Sequence, residues 1–269
     1  MASGEPRSKR QLGEIMNITD VPYNPDHGYR GLGDLYLPEC PEKKFPVLLI
    51  HGGGWGSMDK QGVCGIAEFL CGELGYPVYN INYRLCGTAP WPACGDDCLE
   101  AADFLLNSDY PGFSGLNREK IFVIGGSAGG HLALMTGLQL PPEKVAGIVS
   151  ISGISSILPD YEMFPDRYRS LLGKEPDPAS LAELEPAQFL KKTSPPILLT
   201  HDYDDNVVPQ LCPLKFMEAA KESGISPETY FYRKDETGFS HRIWIPESSP
   251  HKLYRDIELE IENFLERTI

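Results

Sequence analysis

The sequence of 269 residues has little basic charge, no long apolar run and no dense set of cysteines. Its 24 lysines and arginines face 38 aspartates and glutamates, and the net charge of -14 argues against nucleic acid as a partner, because phosphate binding needs a basic surface. No apolar stretch approaches the roughly 20 residues needed to span a bilayer. The composition therefore predicts a globular domain with neither a nucleic-acid nor a membrane partner.

The amino-terminal residues include basic side chains but no apolar run after them, so no signal peptide is predicted. We expect a cytoplasmic protein from the chain as it stands, and a secreted one if a preceding segment has been removed. The seven cysteines are an odd number, widely spread, which is unlike a disulfide-stapled secreted domain. Cys94 and Cys98 lack a second Cys/His pair at zinc-finger spacing, so no metal site is predicted.

Apolar runs alternate with helical patterns, which is typical of an α/β fold with a mostly parallel central sheet and helices on both faces. The predicted strands include "FPVLLI", "YPVYNINYRL", "KIFVIGG", "KVAGIVSISG", "PPILLTHD" and "ETYFYRK". Residues 1–29 are interpreted as a tail with a short antiparallel edge, and residues 30–269 as the main domain. The stretch from about 154 to 192, rich in proline, acids and aromatics, breaks the alternation and predicts a small cap insertion.

Residues 121–135, "IFVIGGSAGGHLALM", contain a G-x-S-x-G motif centred on Ser127, between a predicted strand and a predicted helix. This context is the one in which the motif presents a nucleophilic serine on a sharp turn at the carboxyl end of a sheet. Glycines two positions away on either side let neighbouring backbone approach without side-chain collision. The simpler alternative is a glycine-rich turn with no chemistry.

A second glycine motif, "HGGGW" at residues 51–55, follows the predicted strand "VLLI". A tetrahedral intermediate needs backbone N–H donors aimed at its oxyanion, and glycines allow that close approach. We predict an oxyanion hole built from the amides of Gly53, Gly54 and Ala128. Trp55, adjacent to these glycines, has the best claim among the aromatic residues to line a substrate pocket.

Together, "HGGGW", "NYRL", "GGSAGGHLAL", "PPILLTHDYDDNVVP" and "GFSH" resemble, in order and spacing, the α/β-hydrolase serine esterases. They are most similar to the small HGGGW-type carboxylesterases of the feruloyl- and acetyl-esterase-like group. The resemblance covers roughly residues 30–268 and implies a Ser-Asp-His triad in that chain order.

The resemblance assigns the acid of the triad to Asp205, two residues before "VVP". Asp204 is the alternative, because this chain has Asp202 where the family usually has glycine. The base is assigned to His241, in the loop after the last predicted strand. His51 is expected to brace the oxyanion loop, and His131 to pack within its helix.

The resulting hypothesis is a cofactor-independent serine hydrolase acting on short-chain acyl esters, with acetyl or feruloyl esters of plant carbohydrate as candidate substrates. The expected partner is therefore a small-molecule or carbohydrate-linked ester. A kynurenine-formamidase-like amidase or a small exopeptidase is the alternative hydrolase. A catalytically silent binding module on the same fold is the alternative from another class.

Overall fold

A computed structural model describes residues 14–41, 44–233, 241–245 and 248–268. Its centre is an eight-stranded sheet in the order β1-β2-β4-β3-β5-β6-β7-β8. The strands are β1 (Met16–Pro22), β2 (Leu32–Leu37), β3 (Val47–Ile50), β4 (Val78–Ile81), β5 (Ile121–Gly126), β6 (Val145–Ile151), β7 (Ile197–Asp202) and β8 (Glu228–Tyr232). The helices are α1 (Cys64–Glu68), α2 (Ala93–Asn107), α3 (Ala128–Gln139), α4 (Ile157–Met163), α5 (Pro165–Leu172), α6 (Pro178–Glu183), α7 (Leu211–Glu222) and α8 (Arg255–Arg267).

The strands from β4 to β8 pair in parallel, whereas β1, β2 and β4 pair antiparallel. The prediction of a mostly parallel sheet is thus confirmed, and the antiparallel edge of the sheet is formed by β1 and β2. Residues 1–13 of the predicted tail lie outside the described residues.

Two hydrophobic cores lie on opposite faces of the sheet. In β3, Leu48 and Ile50 pack into the core that contains α2, α3 and α7, whereas Val47 and Leu49 pack into the core that contains α1 and α8. Successive side chains of a strand point to opposite faces, so a run of four buried apolar residues indicates a strand covered on both sides. This layering leaves the carboxyl ends of the parallel strands free to carry loops.

The helix predicted over "KQGVCGIAEFLCGELG" is divided in the structure. A 3-10 turn (Lys60–Val63) leads into the five-residue α1, and a π-helical turn (Phe69–Glu73) follows. The segment contains several glycines, and each lowers helix stability by about 1 kcal/mol relative to alanine. The expected glycine stop is present, since Gly75 adopts φ 74°.

The segment predicted as a cap, residues 154–192, connects β6 to β7 through α4, α5 and α6, followed by a 3-10 turn (Pro186–Phe189). Its helices are short, with six to eight residues each. This segment contacts a loop at the carboxyl end of the sheet. The amide of Trp91, in the loop between β4 and α2, donates to the carbonyl oxygen of Leu171 in α5 at 2.8 Å.

Candidate active site

Ser127 lies on the turn between β5 and α3 with φ 56° and ψ −125°, a conformation that L-residues rarely adopt. The neighbouring glycines make this turn sterically feasible. A Cβ atom on Gly125 would lie 2.1 Å from Gly129 O, and one on Gly129 would lie 2.3 Å from Ile50 O. The predicted clearance around Ser127 is therefore required by backbone packing on both sides.

Ser127, His241 and Asp205 come together at the carboxyl edge of the sheet. The Ser127 Oγ lies 3.0 Å from His241 Nε2, and His241 Nδ1 lies 2.7 Å from Asp205 Oδ2. If Nδ1–H donates to the carboxylate, Nε2 is left to accept the serine proton. Such an arrangement can act as the hydrogen-bond relay of a nucleophile, a base and an orienting acid.

The carboxylate of Asp205 has no exposed surface and its second oxygen is also occupied. Its Oδ1 accepts backbone N–H groups from Val207 at 2.9 Å and Val208 at 2.8 Å. These bonds fix the plane of the carboxylate, so that Oδ2 faces His241.

Asp204, the alternative acid, points elsewhere. Its Oδ2 pairs with Arg233 Nε at 2.6 Å, at a partly exposed position. Asp202 is buried at the end of β7 and accepts the Asp204 amide at 3.0 Å. The structure thus brings Asp205, and not Asp204, to the histidine.

The glycines after β3 run beside the serine turn. A Cβ atom on Gly52 would lie 3.3 Å from Ser127 Cβ, and Gly53 and Gly54 adopt φ 100° and 58°. Within the described residues, the amides of Gly53 and Gly54 donate to no protein acceptor. Ala128 is the first residue of α3, where a helix has backbone N–H groups without intrahelical partners.

Tyr83 and His51 stabilise the glycine loop that follows β3, residues 51–54. The Tyr83 hydroxyl donates to His51 O at 3.1 Å and to Gly52 O at 3.0 Å, and the two rings stack with centroids 4.1 Å apart. His51 is fully buried, and desolvation lowers its pKa to about 4, so its ring is neutral at physiological pH. The bracing predicted for His51 is present in these contacts, and Tyr83 of the "NYRL" motif contributes to it.

The adjacent Arg84 pairs with Asp97. Its Nη2 lies 2.6 Å from Asp97 Oδ1, and its backbone amide donates to Asp97 Oδ2, also at 2.6 Å. Asp97 thus anchors the end of the "NYRL" motif to α2.

The expectation that Trp55 lines a substrate pocket is wrong for this structure, because its side chain has no exposed surface. The residue adopts φ 59°, and its ring is directed into the core beneath the cap. There its Nε1 donates to His131 Nδ1 at 3.3 Å, and its ring packs edge-on against Tyr168 of α5. His131 packs as expected, with Nε2 donating to Leu184 O at 2.8 Å.

Sequence reasoning missed two residues that support the histidine segment. The hydroxyl of Tyr232, at the end of β8, donates to Arg242 O at 3.1 Å and lies 3.1 Å from Ser152 Oγ. Both residues are buried, and neither stands in a motif, so only the fold could reveal them. The preceding part of the "GFSH" motif, residues 238–240, lies outside the described residues.

A cleft of about 480 Å³ lies within the cap, between α4 and α6. Its lining is mainly apolar and comes entirely from cap residues such as Ile157, Leu158, Tyr161 and Leu181. The triad residues do not line it, so the cleft is separate from the serine site.

Among the described residues, one group could offer ligands to a metal ion: His27, Asp97 and Glu100. Arg84 already neutralises Asp97, and Glu100 accepts a hydrogen bond from Asn24 Nδ2 at 2.8 Å. These partners make the group a polar network of the protein itself. In the described part of the chain, no helix has the length and apolarity required to cross a membrane.

The chain is similar in sequence and in fold to known esterases. The chain is 33% identical over 161 residues to versiconal hemiacetal acetate esterase of Emericella nidulans, covering 55% of this chain and 53% of that protein. It is 25% identical over 238 residues to esterase LipQ of Mycobacterium tuberculosis, covering 79% and 54%. The chain therefore spans about half the length of these curated relatives.

Among solved structures, a truncated carbohydrate esterase from gut microbiota superposes with a TM-score of 0.79 at 20% identity, covering 97% of this chain and 98% of that one. This likeness shows the shared α/β-hydrolase fold. The family model described as BD-FAE matches residues 33–218, more than half of the chain. The chain thus belongs to the BD-FAE family of α/β-hydrolase-fold serine esterases.

Proposed function

We propose that this protein hydrolyses carboxylic esters, with Ser127 as nucleophile, His241 as general base and acid, and Asp205 as the orienting acid. The observation that carries the proposal is the continuous relay of 3.0 Å and 2.7 Å contacts that joins the three side chains. Asp205 would hold the imidazole in the productive tautomer and stabilise the imidazolium that forms during the reaction.

In the acylation step, the Ser127 oxygen attacks the ester carbonyl carbon while its proton passes to His241 Nε2. Collapse of the tetrahedral intermediate breaks the bond to the alcohol, which leaves with the proton from His241. In the deacylation step, water attacks the acyl-enzyme and gives a proton to His241. The carboxylic acid leaves as Ser127 recovers its proton.

The charge of each tetrahedral intermediate would be stabilised by the amides of Gly53, Gly54 and Ala128. The described structure supports this role because the two glycine amides lack protein acceptors and Ala128 begins a helix behind the serine. A helix amino terminus also favours negative charge on the reacting oxygen.

For substrates we favour short-chain acyl esters, including acetyl or feruloyl esters attached to plant carbohydrate. An acetate esterase among the relatives and a carbohydrate esterase among the fold neighbours support this class. We treat residues 30–269 as the hydrolase domain and residues 154–192 as a cap insertion within it. An amidase or peptidase reaction uses the same relay and is the alternative to be separated by assay.

The first test compares Ser127→Ala with Ser114→Ala, an exposed serine on a surface turn. Hydrolysis of p-nitrophenyl acetate should fall at least about 10⁴-fold in kcat/KM for Ser127→Ala, and labelling by a fluorophosphonate should be lost. Ser114→Ala should behave as the wild type. Undiminished turnover by folded Ser127→Ala would refute the proposed nucleophile, and unlabelled, inactive wild type would favour a silent binding module.

The substrate class needs a panel with the wild-type enzyme: p-nitrophenyl esters of increasing acyl length, acetylated xylan, methyl ferulate, N-formylkynurenine and a dipeptide amide. We expect kcat/KM to be highest for short acyl esters. Higher values for the formamide or the dipeptide amide would move the assignment to the amidase or peptidase class.

A further inference from the structure

A fully buried carboxylate in the cap, Asp160 of α4, lies close to the loop that carries the triad acid. Both of its oxygens accept hydrogen bonds from Arg167 Nη1, at 2.7 and 2.8 Å, and Oδ2 also accepts the Tyr168 hydroxyl at 2.9 Å. Burial raises the pKa of Asp160 to about 6, so the side chain is mainly ionised at neutral pH. A buried carboxylate of this kind needs its cation, and here the cation is Arg167.

Arg167 also bonds outside the cap. Its Nη2 donates to Val207 O at 3.1 Å, in the loop between β7 and α7. The guanidinium carbon lies 4.4 Å from the ring centroid of Phe164, which limits its rotation. The planar fork of an arginine can bond the carboxylate and the carbonyl at once, whereas a lysine ammonium lacks that fixed geometry.

The carbonyl of Val207 and the N–H of Val208 belong to one planar peptide group. That N–H donates to Asp205 Oδ1 at 2.8 Å, so the bond from Arg167 to the carbonyl fixes the direction of the N–H. A donor on the carbonyl also polarises the peptide and strengthens its N–H bond. The carbonyl of Val208, in the following peptide group, is also held, because His201 Nε2 donates to Val208 O at 3.0 Å.

We propose that Arg167 is a positioning residue of the reaction: through the Val207–Val208 peptide it holds the Asp205 carboxylate in the orientation that His241 requires. The cap segment therefore helps to assemble the triad. This inference rests on the proposed function, since it concerns the acid of that triad. Among the described residues, the side-chain hydrogen bonds of Arg167 go to Asp160 and Val207 and to neither Ser127 nor His241.

The test is Arg167→Lys, which keeps a cation beside Asp160 but loses the fork to Val207. We expect kcat to fall about tenfold while KM changes less than twofold, because a small misplacement of the acid slows chemistry and leaves substrate contacts intact. The downfield proton NMR signal of the His241 Nδ1–H should broaden or shift. Arg169→Lys is the matched control, on the same helix but paired with exposed Asp166 and Glu175.

A second variant protects the test against misfolding. Asp160→Asn combined with Arg167→Gln removes both charges of the pair and should fold, with the same loss in kcat. The inference is overturned if either variant, folded, keeps wild-type kcat and an unchanged Nδ1–H signal. Ser127→Ala separates the two levels: activity retained there defeats the proposed function, whereas activity lost there but retained in Arg167→Lys defeats only this inference.

Discussion

The two sides of the site are held together by different kinds of contact. On the elbow side, which comprises residues 51–57 and 125–130, backbone lies directly against backbone, and glycines provide the space. On the cap side, which comprises residues 154–192 and the acid loop 203–208, side chains hold backbone groups in place. The elbow side should therefore be intolerant of added atoms, and the cap side intolerant of lost hydrogen bonds.

The sharpest test of the cap side compares two adjacent acids. Asp205→Asn should lower kcat about 10⁴-fold, because an amide can leave His241 in the wrong tautomer. Asp204→Asn loses only a partly exposed ion pair with Arg233 and should stay within about threefold of the wild type. Steady-state kinetics on p-nitrophenyl acetate measure both. A larger effect for Asp204→Asn would transfer the role of the acid to that residue.

The elbow side is tested by adding one methyl group at two glycines. In Gly129→Ala, the new Cβ would lie 2.3 Å from Ile50 O, and we expect a loss of about 3 kcal/mol in unfolding free energy. Gly54→Ala has open space around it but keeps φ 58°, so the expected loss is about 1 kcal/mol.

Chemical denaturation followed by circular dichroism measures both losses. The pair separates collision from backbone strain, since strain alone acts at Gly54. Equal losses for the two variants would show that the turn relaxes around an added Cβ, and the elbow would then be less tightly packed than the structure indicates.

The same difference in the kind of contact explains which parts of the fold and of the site could be predicted from the sequence. Only glycine fits at positions 125 and 129, where a Cβ atom would collide with backbone, so the turn that carries Ser127 could be predicted from a short sequence pattern. Arg167 and Val207 are forty residues apart and join a side chain to a carbonyl, a contact that leaves no local pattern. Trp55 shows a further limit: its place beside Gly53 and Gly54 predicted a pocket, but its ring is buried against His131 and Tyr168.

An effect that depends on pH is expected at His131, where the two sides meet: it accepts Trp55 Nε1–H and donates to Leu184 O of the cap. Burial lowers the pKa of His131 from 6.5 to about 4, so the unfolded chain binds a proton that the folded protein does not. The contribution of His131 to stability is then full above pH 6.5 and falls as the pH drops toward 4, by up to about 1.4 kcal/mol per pH unit.

His131→Gln should remove this share of the slope of unfolding free energy against pH, measured by urea denaturation, while the contribution of His51 remains. If the curves of unfolding free energy against pH were parallel for the variant and the wild type, His131 would not link folding to protonation. The contact between the two sides would then not depend on the protonation of this histidine.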